Sequence, residues 1–260
     1  MNKNWLLLIG GIVLVIAIFF GLSNKPPKVS AFDEKREALL DSLELPDEAS
    51  IIKLTEELSK DRKNITLLDT LSHIWFHAGY PDIAADYDRQ IADHSLKTED
   101  YLRAGKSFFD ALPSDTSQTI QINMVYGARY CYEKVLEQDS THLEARIGLA
   151  KVFVQGTNEP MKGIGILRAL DAEFPENAEV NMELGQFSMM SGQYEKAIER
   201  FLTVLQKDSL NLQAQFLLAE SYMAIGDTLQ SVKVLEKTIG LTGDPLLDAQ
   251  VRQYIQSITN

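Results

Sequence analysis

From residue 32 onward, apolar side chains recur three and four positions apart, interrupted at short intervals by Gly, Pro, Asn or Asp. That pattern predicts a succession of short amphipathic helices. Ahead of it, residues 5–22 (WLLLIGGIVLVIAIFFGL) form an 18-residue apolar run without a charge. At about 1.5 Å per residue the run reaches roughly 27 Å, close to the ~30 Å hydrocarbon thickness of a bilayer. An uncleaved membrane anchor is therefore expected over residues 1–22, with Trp5 as an interfacial aromatic. Two alternatives stay open. One is a cleaved signal peptide, for which Gly21 and Ser23 suit the cleavage site although the run exceeds the usual ~7–15 residues. The other is a buried core helix. No Cys follows the run, which excludes a lipoprotein anchor. Residues 23–31 (SNKPPKVSA) read as a short stalk stiffened by Pro26 and Pro27.

The helical pattern repeats. AEVNMELGQFSMMSGQYEKAIERFLTVLQKDSLN begins at Ala178, and LQAQFLLAESYMAIGDTLQSVKVLEKTIGLTGD begins 34 residues later at Leu212. Each contains two amphipathic patterns split by a Gly-centred turn. Leu184-Gly185 aligns with Leu218-Ala219, Gly192-Gln193 with Gly226-Asp227, and Ala197 and Phe201 with Ser231 and Leu235. Small residues at such positions let two antiparallel helices approach, while large ones fill the space beside them. Residues 143–177 follow the same plan through Leu149-Ala150, Phe153, Gly163 and Leu167. Residues 98–142 do so through Ala104-Gly105, Phe108, Ala128 and Tyr132, with extra residues within 111–122 (ALPSDTSQTIQI). Residues 65–97 fit through Leu71-Ser72, Trp75, Gly79 and Ala84. Asp88 stands there where a large aromatic is expected, with Tyr87 beside it as the substitute.

This arrangement resembles the tetratricopeptide repeat. The resemblance implies an all-α fold, a right-handed superhelix of about five repeats over residues 65–244, behind the N-terminal transmembrane helix. Residues 32–64 are expected to form a degenerate repeat or cap, ending in the Lys60-Asp61-x-x-Asn64 idiom that recurs as Lys207-Asp208-x-x-Asn211. Residues 245–260 are expected to form a C-terminal capping helix, which repeat arrays need to cover an end. The short tail before the apolar run resembles that of bacterial signal-anchor proteins. This implies a single pass of the inner (cytoplasmic) membrane with the remainder on the exported, periplasmic side. Charge counting does not decide the orientation, since Lys3 precedes the run and Lys25 and Lys28 follow it.

In this family the first helix of each repeat lines a concave groove, and the resemblance nominates its residues. They are Phe76 (with His73) in the first repeat and Leu102, Lys106 and Phe109 in the second. Ile147, Lys151 and Val154 follow in the third, Met182, Gln186 and Met189 in the fourth, and Phe216, Glu220 and Met223 in the fifth. Flexible methionines suit a surface that accommodates varied apolar ligands, such as an amphipathic partner helix. The alternative is that most of these side chains pack against the next repeat. Some relatives clamp a terminal carboxylate with Lys, Asn and Arg. Arg103, Lys106 and Lys151 are present here without the asparagines, so that role is not carried over.

Charge and chemistry narrow the reading. From residue 30 onward 22 basic residues face 37 acidic ones, a net of −15, which disfavours nucleic acid. Cys131 is the one cysteine, so neither an intramolecular disulfide nor a multi-cysteine metal site is available. His73 and His77 have half of a zinc site's spacing but no HExxH context, and read as surface or packing residues. Gly163 and Gly165 lack the third glycine of a phosphate loop. No catalytic pair, metal or cofactor is expected, and the chain is not read as an enzyme. The expected role is a membrane-anchored adaptor or chaperone-like scaffold that binds protein segments, for instance during assembly of an envelope complex. The alternative is a fixed or self-associating subunit of a membrane complex.

Overall fold

The computed structural model describes residues 31–42, 48–241 and 243–259. The apolar run at 5–22 lies outside them. Among the described residues no helix is long and apolar enough to cross a membrane. Those residues form thirteen α-helices, one short 3₁₀ turn and no strand.

The chain divides into two compact units, one ending at Gly163 and the other starting at Ile164. The first contains α1 (Ala31–Asp41), α2 (Glu48–Lys60), α3 (Ile65–His77), α4 (Pro81–Ser95) and α5 (Thr98–Ala111). It continues with α6 (Gln118–Gln138) and α7 (Leu143–Gly156). Helix α8 (Pro160–Glu173) straddles the division. The second unit adds α9 (Ala178–Met190), α10 (Tyr194–Lys207), α11 (Leu212–Ala224), α12 (Thr228–Thr238) and α13 (Pro245–Thr259). Within each unit successive helices pack on one another: α2 through α7 in the first, α9 through α13 in the second.

The turns explain why the pattern repeats. After α3, α9 and α11 a glycine takes a left-handed conformation (Gly79 φ 89°, Gly192 φ 71°, Gly226 φ 81°). The next amide then donates back five residues: Tyr80 to Trp75, Gln193 to Ser188, Asp227 to Tyr222, all at 2.8–2.9 Å. This C-cap satisfies helix-end carbonyls and reverses the chain. The Lys-Asp-x-x-Asn idiom is the complementary entry turn. The Asp61 and Asp208 carboxylates accept from the Lys63 and Leu210 amides. Asn64 and Asn211 then accept from the Leu67 and Ala214 amides and so cap α3 and α11. Asn177 caps α9 in the same way.

Small residues set the helix approach. A Cβ at Gly185 would lie 2.6 Å from the Phe201 ring, and one at Gly163 2.4 Å from the Ala150 carbonyl oxygen. Tyr132 is wedged against both Gly105 and Gly148, and Phe108 against Gly127. In the first pair, the sequence expectation that Tyr87 substitutes for an aromatic at position 88 is corrected. Asp88 is itself buried and accepts the Ser72 hydroxyl at 2.9 Å and that of Ser107 at 2.7 Å. Tyr87 belongs to the core around Trp75, Leu71 and Ile51, and its ring lies beneath the Arg36 guanidinium.

Ahead of the first pair, the described residues form α1 and α2. Helix α2 packs on α3 through Ile51, Leu54 and Leu58, while α1 reaches across to α4 and α6. Lys35 bridges Asp82 at 2.7 Å and Asp115 at 2.6 Å, and Arg36 donates to Asp86 at 3.0 Å. Phe32 lies 5.8 Å from Phe108 between ring centres. The extra residues at 111–122 supply part of this seat. They form the 3₁₀ turn Leu112–Ser114 and an early start to α6. Leu112, Ile120 and Gln121 are buried, and the Gln121 amide donates to the Asp115 carbonyl at 2.8 Å. The segment is a folded structural element.

At the C-terminus, Val251, Tyr254, Ile255 and Ile258 of α13 close on Ala219 and Leu235, leaving Arg252, Gln253 and Gln256 exposed.

Candidate functional site

In the first unit the candidate residues separate into two kinds. Phe76 is 60% exposed, beside the exposed imidazoles of His73 and His77. Leu102, Phe109 and Lys151 are half-buried, and the Lys151 ammonium stands 5.2 Å from the centre of the Phe109 ring. That cation–π geometry joins side chains from α5 and α7, in successive helix pairs, on an accessible face. Lys106 is exposed and ion-paired with Asp110 on its own helix. Arg103 is held near Asp100 at 3.5 Å and Asp69 at 4.0 Å. Arg103 and Lys106 are therefore both paired with local carboxylates. Val154 is half-buried and fills the space that a side chain at Gly163 would occupy. Ile147 is 1% exposed and belongs to the core. It presents nothing to a ligand.

In the second unit, Met182 is 8% exposed and packs in the cluster of Ala197, Phe201 and Leu218, so it too is a core residue. Met189 leans on the same cluster, and Phe216 on the cluster of Ala219, Leu235 and Val251. Gln186, Glu220 and Met223 are half-buried. Among these, Glu220 carries a carboxyl that burial pushes above the ordinary carboxylate range.

Sequence reasoning did not point to a cleft of about 440 Å³ where α4, α5 and α6 meet, lined by Asp93, Leu96, Tyr101, Tyr130, Lys134 and Glu137. Its polar groups are mutually satisfied. Tyr101 and Tyr130 donate to Asp93 at 3.2 and 2.9 Å, Arg89 donates to it at 2.6 Å, and Lys134 pairs with Glu137 at 2.6 Å. Burial and the Asp93 carboxylate hold the Tyr130 phenol well above its ordinary pKa. The cleft's tyrosines and Asp93 are thus engaged with one another, while the Lys134–Glu137 pair stands at its more exposed edge. Among the described residues no group of three or more His, Cys, Asp or Glu is placed to hold a metal ion.

No protein-family model matches the chain, and no curated protein matches it. Solved structures do. TTC0263, a thermophilic TPR protein of Thermus thermophilus, aligns with a TM-score of 0.54 at 14% identity, over 75% of this chain and 98% of its own. The fold is of the tetratricopeptide-repeat type. Two other similar structures have lower scores. MamA (from residue 41) of Desulfovibrio magneticus RS-1 gives 0.49 at 19% identity, over 68% of this chain and 94% of its own. YrrB, described as a TPR protein with an unusual peptide-binding site, gives 0.45 at 15% identity, over 77% and 97%. At these identities the likeness concerns the fold alone, and a repeat fold of this kind hosts many roles.

Proposed function

We propose that this protein is a helical-repeat adaptor that receives segments of partner proteins on the faces of its first helices, tethered to a membrane by residues 5–22. The observation that carries this reading is the accessible apolar character of the first-helix face in the first unit. Phe76 is largely exposed, and Leu102, Phe109 and Lys151 remain half-open. The same helices bury Leu71, Trp75, Ala104 and Phe108 completely. Aromatic residues are enriched at protein–protein interfaces, and here two of them stand on successive first helices. The apolar run supports the tether on length and hydropathy, and the absence of a convergent polar pocket with open valences among the described residues favours binding over chemistry.

The test is a photo-crosslinking amino acid placed at position 76 of the full chain in membranes, with the same group at exposed Leu202 of a second helix as control. The adaptor reading expects one or more foreign chains captured from position 76 and not from position 202. Phe76→Glu combined with Phe109→Glu should then abolish that capture without loss of helicity. Crosslinks only between copies of this chain would instead establish the self-associating subunit.

A further inference from the structure

We infer that the α11 face of the second unit recognises an arginine flanked by apolar residues in the bound segment, with Glu220 as its counter-ion. This deepens the adaptor reading and rests on it. Glu220 lies on the same helical stripe as Phe216 four residues earlier and Met223 three residues later, and all three are half-buried. Among the described residues no hydrogen bond or ion pair engages its carboxylate. A charge-sensitive neighbour is the Tyr254 phenol of α13, whose ionisation burial and the Glu220 charge both oppose.

Other shielded carboxylates of this protein are treated differently. Asp82 is held by Lys35, Asp86 by Arg36 and Arg89, and Asp171 by both terminal nitrogens of Arg200. Where this chain draws a carboxylate out of water to pack helices, it supplies a partner: a cation in these three cases, and the Ser72 and Ser107 hydroxyls at Asp88. Glu220 is half-buried beside the edge of α13, and no hydrogen bond or ion pair of that kind reaches it among the described residues. A half-desolvated, unpaired carboxylate is unfavourable in the free protein, and that cost is relieved when a cation docks.

Arginine fits better than lysine. Both carboxylate oxygens are open, so a planar guanidinium is able to donate to them side by side. Phe216 and Met223 give its methylene stem an apolar bed. The occupant is thus a partner segment carrying one arginine among apolar neighbours. Its complementarity to this face is one charge, set within apolar contact.

The experiment uses the full chain in detergent and a set of fluorescent amphipathic 15-residue peptides built from Leu, Met and Ala. They are identical except for a single central Arg, Lys, Gln or Glu. The Arg peptide is expected to bind at least tenfold more tightly than the Gln peptide, with Lys between them and Glu weakest. Glu220→Gln should erase the Arg–Gln difference, and Glu220→Arg should reverse the order in favour of the Glu peptide. Because the side chain has no partner in the free protein, Glu220→Gln should leave Tm equal or higher. A lower Tm would mean that Glu220 serves packing, and would overturn the inference. So would an Arg preference that survives Glu220→Gln. Peptides that bind alike whatever their central residue would remove the Glu220 role and leave the adaptor reading standing. No binding by any peptide, together with no capture from position 76, would remove both.

Discussion

Ser72 donates its hydroxyl to the Asp88 carboxylate at 2.9 Å, joining the two helices of the first pair where related repeats set a small residue against an aromatic ring. The same hydroxyl lies 3.2 Å from the Ala84 carbonyl, and Ser107 of α5 serves the other Asp88 oxygen. One polar cluster therefore ties α3, α4 and α5 together. Asp88→Ala is expected to cost about 1–3 kcal/mol in urea unfolding, because it removes the acceptor that the buried Ser72 and half-buried Ser107 hydroxyls share. Asp88→Asn, which keeps an acceptor, should cost less. A double-mutant cycle with Ser72→Ala should show coupling of about 0.5 kcal/mol or more; strictly additive losses would refute the linkage.

Two glycines in α8, two positions apart, should respond oppositely. A methyl group at Gly163 meets the Ala150 carbonyl oxygen at 2.4 Å, and backbone has little room to retreat, so Gly163→Ala should destabilise by about 1–3 kcal/mol. Gly165 faces open space, and Gly165→Ala should stabilise by about 0.5–1 kcal/mol through helix propensity alone. Thermal melts of the two variants compare them directly.

The seat of α1 should open at both ends of the pH scale. Burial works against an ionised Asp86, yet the Arg89 and Arg36 charges outweigh it and hold the carboxyl below its ordinary value. A depressed carboxyl contributes stability that is present above the unfolded pKa and lost as pH falls through the folded one. Burial likewise works against the Lys35 cation, while Asp115 and Asp82 raise its pKa overall. Its contribution is complete below the unfolded value and lost as pH climbs through the folded one. Docking should therefore hold between roughly pH 5 and pH 10, begin to weaken below about pH 4 and be lost in stronger acid, and weaken again in strong alkali. A spin label on Ala38→Cys, at an exposed position of α1, would report that mobility. Immobility unchanged at pH 2.5 would contradict the assignment.

Cys131 should be chemically silent in the folded chain. Burial pushes its thiol far above the ordinary range, and the nearby Arg89 charge offsets only part of this. Reaction with a disulfide reagent is expected only after unfolding, whereas Ala38→Cys should react at once. Rapid native-state labelling of Cys131 would show that α6 opens locally.

The helix pairs were readable because their cause is local. A glycine or alanine opposite a ring, as at Gly185 and Phe201, needs only two residues at a fixed spacing, and the Lys-Asp-x-x-Asn idiom encodes its own turn. The failures have equally specific causes. Asp88 looked like a missing aromatic because its partners are serines on two other helices. The α1 seat rests on ion pairs 47, 50 and 80 residues apart in sequence, which no periodicity reports. Ile147 and Met182 were nominated for the groove because first helices are apolar around most of their circumference. In α7, residues Ala145 and Ile147 to Ala150 are all buried, so neighbouring positions cannot be sorted by hydropathy.

The position of α1 also decides how the molecule takes mechanical load. A tug on the polypeptide ahead of Ala31 arrives first at Phe32, Lys35 and Arg36, whose partners lie on α4, on α5 and in the segment before α6. Leu39 and Leu40, further along α1, lean on the core that α2 and α3 share. Any such pull is therefore divided at its entry among several ion pairs and one ring contact instead of falling on a single bond.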